Sequence, residues 1–197
     1  MRLKILQAGE PVLRQMARAL SAEEILHPRT QQFIEHMCDT MRDAPGVGLA
    51  APQIGLGIQL TVIEDRDEYM KGVGPETLAE RERYPVSFLV LFNPKITLYS
   101  KDMAEFFEGC LSVSGFSALV RRSHNVSVDY LDQNAQPQRI EASGWFARIL
   151  QHEIDHLNGK LYIDHMEPRS FATIENVKRH WSVGPISEVR KTLGLEK

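Results

Sequence analysis

Ser143-Gly-Trp-Phe-Ala-Arg-Ile-Leu-Gln-His-Glu-Ile-Asp-His-Leu-Asn-Gly159 reads as a helix with a marked start and stop. Ser143 suits an N-cap, and Gly159, just after Asn158, suits the left-handed residue that ends a helix. Between them Trp145, Ile149, His152 and His156 recur at spacings of three or four, along one side of the helix. The pattern His152-Glu153-Ile154-Asp155-His156 lies inside that row. Residues four apart are turned by roughly 40° and rise about 6 Å, so both imidazoles reach one metal ion. Glu153 falls beside the row, where a carboxylate can handle a proton on water held by the metal. Solvated helix faces also carry such a pattern. Here the apolar neighbours argue for a buried helix, whose polar groups need partners that a metal would supply.

The totals bound the rest. At 197 residues the chain has the length of one ordinary domain with a real core. It is 43% hydrophobic and 25% charged, with a formal charge of −3, which gives no electrostatic reason to expect a nucleic-acid or membrane surface as main partner. No apolar run approaches the ~20 residues that span a bilayer. Met1-Arg-Leu-Lys-Ile-Leu-Gln7 breaks off into Gly9-Glu10-Pro11 too early for a signal peptide. Cys38 and Cys110 make no disulfide framework, so a reducing cytosol or organelle matrix fits.

Along the chain, Pro11 to Arg18 predicts a short helix and Pro28 to Asp43 a second one, with Phe33, Ile34, Met37, Cys38 and Met41 at helical spacing. Cys38 reads as a small core residue and His36 as a solvated or hydrogen-bonded one. Ala44-Pro-Gly-Val-Gly-Leu-Ala-Ala-Pro-Gln-Ile-Gly55 breaks the pattern. The glycines flanking Val47 indicate a backbone approached closely by something else, and no Lys-Ser/Thr pair follows to make a phosphate loop. Ile58 to Glu64 predicts a strand, and 65–85 a charged surface insertion. Val86 to Asn93 predicts an apolar strand, with another beginning after Pro94 at Lys95 to Tyr99. Asn125 to Leu131 and Arg139 to Ala142 form a hairpin around Asp132–Pro137. After the helix come a short strand at Lys160 to Ile163 and, from Pro168, a polar tail with a weak helical period. A catalytic metal site usually has three protein ligands and an open position. Cys110, His124, His165 and many carboxylates are candidates for the third.

Gly46-Val-Gly-Leu-Ala-Ala-Pro-Gln53, Glu108-Gly-Cys-Leu-Ser112 and Gln151-His-Glu-Ile-Asp-His156 resemble, in this order, the three motifs of peptide deformylases. The resemblance spans about Ile5 to Met166. The stretch Ala142-Ser-Gly-Trp-Phe-Ala-Arg-Ile149 and the insertion near 65–85 are similar to the type 1A branch of plant organelles, mitochondria and some bacteria. With the strand pattern it implies an α+β fold, mixed antiparallel sheets packed around the central H-E-x-x-H helix. The whole chain would be one domain, with its core at about 5–166 and a polar tail at 167–197.

The resemblance further implies Cys110, His152 and His156 as metal ligands, with Fe(II) the usual ion and nickel, cobalt or zinc as substitutes. It makes Glu153 the proton carrier, and Gln53 with the Leu111 N–H the oxyanion donors. Gly46, Val47, Gly48 and Gly109 would lie along the substrate backbone, and Val47, Phe106, Trp145 and Ile149 would hold the methionine side chain. Asp155 would support the site through Arg122 without binding the metal. The reaction would be removal of formate from formyl-methionyl nascent peptides, in the cytoplasm of a bacterium or an organelle matrix. A transient ribosome encounter and a homodimer are compatible with it, and direct nucleic-acid or membrane binding is not expected. Many bacterial relatives carry an arginine where this chain has Ser117, which removes one expected substrate contact, and the tail lacks their long basic ribosome-docking helix. Two rivals are a zincin-type metallopeptidase, which leaves the glycine-rich and cysteine motifs unexplained, and a non-catalytic protein with a structural metal, which leaves Glu153 and Gln53 without a task.

Overall fold

Two antiparallel sheets hold the His-Glu helix between them. The computed structural model describes residues 1–181 and 184–195. In chain order, helices α1 (Ala22–Leu26) and α2 (Pro28–Asp43) lead to strands β1 (Gly48–Ala50) and β2 (Leu60–Asp65). Helix α3 (Pro75–Glu80) precedes β3 (Val86–Tyr99), β4 (Met103–Cys110), β5 (Val113–Ser123), β6 (Asn125–Leu131) and β7 (Pro137–Ser143). Then come α4 (Gly144–Leu157), β8 (Ala172–Thr173), α5 (Ile174–His180) and α6 (Ile186–Thr192). One sheet runs β1-β2-β3-β6-β7 and the other β4-β5-β8. The expected α+β class, with antiparallel sheets around the helix, holds.

Helix α2 keeps its predicted bounds because its ends are chemically marked. Pro28 opens it, and His27 Nδ1 accepts from the Arg29 N–H. Its Ile34, Met37 and Met41 pack against Leu49, Leu60, Val62 and Phe92 of β1, β2 and β3. Helix α4 buries Ala147, Leu150 and Ile154 against Ile63, Leu91, Val126 and Val128. Each of the larger side chains contributes roughly 1.5–3 kcal/mol on burial. The helix ends as its sequence promised: Gly159 has φ +71°, its N–H donates to His156 O, and the Lys160 N–H donates to Asp155 O. Its start differs in mechanism. Ser143 sits at the N-cap but its side chain makes no capping bond. The free N–H groups go to other segments instead, Gly144 to His124 O at 2.9 Å and Trp145 to Arg81 O at 2.8 Å.

Three local expectations fail for identifiable reasons. The N-terminal helix is only a 3-10 turn at Pro11–Arg14, because Arg18 bonds strand-like to Gly57 and Gln59. The two strands expected on either side of Pro94 are one strand, β3. Asn93 takes φ +49°, the register against β6 shifts between Phe92 and Lys95, and the Asn93 amide bonds both backbone groups of Leu20. The proline thus sits at a bulge, where a missing N–H costs little. Lys160 to Ile163 is no strand: Asp164 accepts from the Leu161 N–H and closes a 3-10 turn at Tyr162–Asp164. The weak helical period of the polar tail is borne out by α5 and α6, and the tail is anchored as well. Its β8 pairs with β5 through Phe116–Thr173 and Ser117–Ala172, and Arg190 of α6 bonds both carboxylate oxygens of Glu105.

Candidate active site

Cys110 ends β4 beside a register shift at Gly109, opposite α4. Its Sγ lies 3.3 Å from His156 Nε2, and the ligand atoms of Cys110, His152 and His156 all fall within 4.8 Å of one another. Bonds of about 2.0–2.3 Å at tetrahedral angles place ligand atoms roughly 3.5 Å apart, so one thiolate and two imidazoles on this spacing fit a metal ion with a coordination position to spare. The remaining candidate histidines lie elsewhere. His124 Nε2 is 3.0 Å from Glu82, and His165 Nε2 is 3.4 Å from Asp155.

Of the three, His152 is held by a buried charge cluster. Glu108 Oε2 faces His152 Nδ1 at 3.0 Å, which keeps the proton on Nδ1 and leaves Nε2 for an ion. Arg122 donates to both Glu108 oxygens at 2.9 Å, and Arg148 donates to Oε1 at 2.6 Å. Arg122 also donates to Asp155. Burial alone would raise the Glu108 carboxyl, but Arg122 and His152 hold it well below the usual carboxylate range. His152 is pulled down by burial, yet its bonds to Cys110 and Glu108 leave it well above the usual imidazole value. His156, deeper in the helix face, is held well below that value by burial and the charge of His152.

Glu153 sits in a different environment. It is 4% exposed, its nearest polar partner is the Thr61 hydroxyl at 3.4 Å, and burial pushes its pKa up to about 7 against the pull of His152. Gly48 makes room for it, since a Cβ there would collide with the Glu153 carboxylate. A Cβ on Gly46 would lie 2.8 Å from Leu111 Cδ1. The close neighbours foreseen for the glycine-rich loop are therefore side chains of the protein itself.

That loop also delivers Gln53. Its Oε1 accepts from the Ala50 N–H at 2.8 Å, which turns Nε2 toward Ser112 Oγ at 3.2 Å and Cys110 Sγ at 3.5 Å. The Ser112 N–H points at the same sulfur from 3.4 Å. The Leu111 carbonyl is fixed by Gln7 Nε2 at 2.9 Å, while its N–H has no intramolecular partner among the described residues.

A cavity of about 400 Å³ opens over these groups. It is lined by Gly46, Val47, Gly48, Gln53, Gly109, Cys110, Leu111, Trp145, Ile149, His152 and Glu153, all singled out in the sequence. Phe106 is the exception among the expected pocket residues. It is buried behind the wall, against Trp145 at 6.2 Å, and Phe107 lines the cavity instead. Sequence reading gave no role to Glu108 or Arg148. Both had a signal: Glu108 lies two residues from Cys110 on the same strand face, and Arg148 falls three residues after Trp145 and four before His152, on the ligand side of α4.

Comparison with known proteins sharpens this picture. Residues 2–172 match the family model described as polypeptide deformylase. The chloroplastic peptide deformylase 1A of Solanum lycopersicum is 49% identical over 173 residues, covering 88% of this chain. This chain spans 62% of that protein's length. Peptide deformylase 3 of Streptomyces avermitilis is 45% identical over 194 residues, covering 98% of this chain and 84% of the relative. Among solved structures, a class I type b peptide deformylase of Acinetobacter baumannii bound to Met-Ala-Ser superposes with a TM-score of 0.75 at 30% identity, covering 84% of this chain and 99% of that one.

Proposed function

The chain belongs to the polypeptide deformylase family, and on that footing we propose that it hydrolyses the formyl amide of N-formyl-methionyl nascent peptides, releasing formate. One observation carries the reading above the others: a Cys110–His152–His156 trio that shares one cavity with a buried carboxylate, Glu153, and an amide donor, Gln53 Nε2, turned toward the Cys110 sulfur. The ion these three residues would hold is Fe(II) in this reading, with nickel, cobalt or zinc as substitutes. When bound, it supplies Lewis acidity to the formyl oxygen and lowers the pKa of water.

The chain's own residues do the rest. Glu153 takes a proton from the attacking water and hands it to the departing amine, and a pKa near 7 suits a group that must both accept and give it. Gln53 Nε2 and the Leu111 N–H receive the charge that builds on the formyl oxygen, each donor being worth about 3–4 kcal/mol in such sites. Glu108 keeps His152 oriented, with Asp155 acting at one remove through Arg122. Val47, Trp145 and Ile149 offer an apolar wall to the methionine side chain, which contributes roughly 1.5–3 kcal/mol when buried. The strand edge at Gly46–Gly48 and Gly109 flanks the substrate backbone. A transient encounter at the ribosome, a homodimer, and residence in a bacterial cytoplasm or organelle matrix belong to the same reading.

The test is formate release from formyl-Met-Ala-Ser, with acetyl-Met-Ala-Ser and unformylated internal peptides as controls. Formate from the first substrate alone supports the proposal. Cleavage of internal peptide bonds without formate release would support the peptidase rival.

A further inference from the structure

The insertion between β2 and β3 ends in Arg81-Glu82-Arg83, and this short strap is fastened to the start of α4 at several points. Arg83 grips the fully buried Asp65 through two bonds of 2.8 Å. Glu82 takes φ +46° and meets His124 Nε2 at 3.0 Å. Arg81 O accepts from the Trp145 N–H at 2.8 Å. The fit is close: Gly144 has φ +54°, and a Cβ there would lie 2.5 Å from Glu82 Cβ and 2.8 Å from Arg81 O.

The side chain of Arg81 does something different from its neighbours. Its guanidinium carbon lies 5.6 Å from the Phe106 ring centre and 5.0 Å from that of Trp145. Among the described residues it forms no salt bridge, and its buried Nε has no partner. A cation that gives up hydration without a carboxylate is held by what it packs on, here two aromatic faces. Trp145 depends on that packing in turn. Its Nε1 is also buried without a partner, so no side-chain hydrogen bond fixes the indole. The ring packs on the apolar cluster around α4 and on Phe106 in an edge-on contact at 6.2 Å, and the guanidinium groups of Arg81, Arg83 and Arg148 cover it. Trp145 lines the substrate cavity and Arg81 does not.

We propose that Arg81 is a positioning residue for substrate selection: from behind the wall it braces Trp145 and so sets how large an N-terminal side chain the cavity accepts. This rests on the deformylase reading above, since it assigns that wall to the first residue of the substrate. Removing the brace lets the indole move into the space vacated by the guanidinium, and the pocket widens.

The experiment compares metal-loaded wild type, Arg81→Ala and Arg81→Lys on N-formyl peptides that begin with Met or Phe. For Arg81→Ala, KM for the Met peptide should rise with kcat little changed, and the Phe-to-Met ratio of kcat/KM should rise about tenfold, the range in which pocket contacts discriminate apolar side chains. Arg81→Lys, which keeps a cation and most of the stem, should return the ratio toward wild type. A second readout needs neither metal nor turnover: in a Trp181→Phe background, acrylamide should quench Trp145 fluorescence more strongly in Arg81→Ala. An unchanged substrate ratio in a folded Arg81→Ala protein overturns the proposal even if its melting temperature falls, and so does unchanged quenching. Absence of formate release by wild type on any formyl peptide sinks the deformylase reading instead.

Discussion

Glu108 and Glu153 are two buried carboxylates that both feel the charge of His152, and their surroundings assign them opposite work. Glu108 is caged by Arg122, Arg148 and His152, so its charge is balanced and its oxygens are fully engaged. Glu153 stands in a niche made by a missing side chain at Gly48, with one long contact to Thr61. The cage holds its carboxyl ionised, whereas the niche leaves its own near pKa 7. A charge surrounded by donors is a structural part, while one denied them is free to exchange a proton.

The sharpest way to separate the two is to neutralise each. Glu153→Gln is nearly isosteric and loses no strong bond, so the fold and metal content should persist while kcat falls about 10²–10⁴-fold, the range for a lost acid–base group. Metal analysis and turnover on one preparation check this, and near-normal turnover with metal retained would rule Glu153 out as the base. Glu108→Gln should do the reverse. It leaves Arg122 and Arg148 buried with too little opposing charge, which costs on the order of 3–5 kcal/mol. It also frees His152, so metal affinity should drop about 10–100-fold. Denaturant midpoints and metal titration read both.

The niche itself can be closed. Gly48→Ala puts a methyl against the Glu153 carboxylate and should lower kcat by about a hundredfold through misplacement, with metal content kept. If Gly48→Ala left kcat intact, the glycine would owe its place to substrate approach or to chance. The mildest change acts at one remove. Asp155→Asn weakens the Arg122 link to the cage and should reduce metal retention about tenfold, measured by competition with a chelator.

How much of this was legible beforehand follows the physics of each signal. Local chemistry spoke clearly. The bounds of α2 and the C-terminal end of α4 are written in proline, glycine and apolar spacing, and the ligand trio was placed by its resemblance to known motifs. What needed the third dimension was missed. The bulge at Asn93 that carries β3 past Pro94 depends on the distant backbone of Leu20. The tail's pairing with β5 rests on two residues of strand. The close packing of Gly48 on Glu153 joins residues 105 positions apart in sequence, which no local pattern announces. The cage around Glu108 joins β4, β5 and α4, and each member alone resembles an ordinary charged residue.

If a thiolate completes the metal site, Cys110→Ala and Cys38→Ala must part company. Cys38 is buried in α2, away from the cavity, and its loss should cost about 1 kcal/mol or less of packing while metal and turnover stay normal. Cys110→Ala should lose most of its metal, measured per chain after dialysis, and release no formate from a formyl-Met peptide. Stoichiometric metal and normal formate release in Cys110→Ala would contradict the claim, because the third ligand would then lie elsewhere.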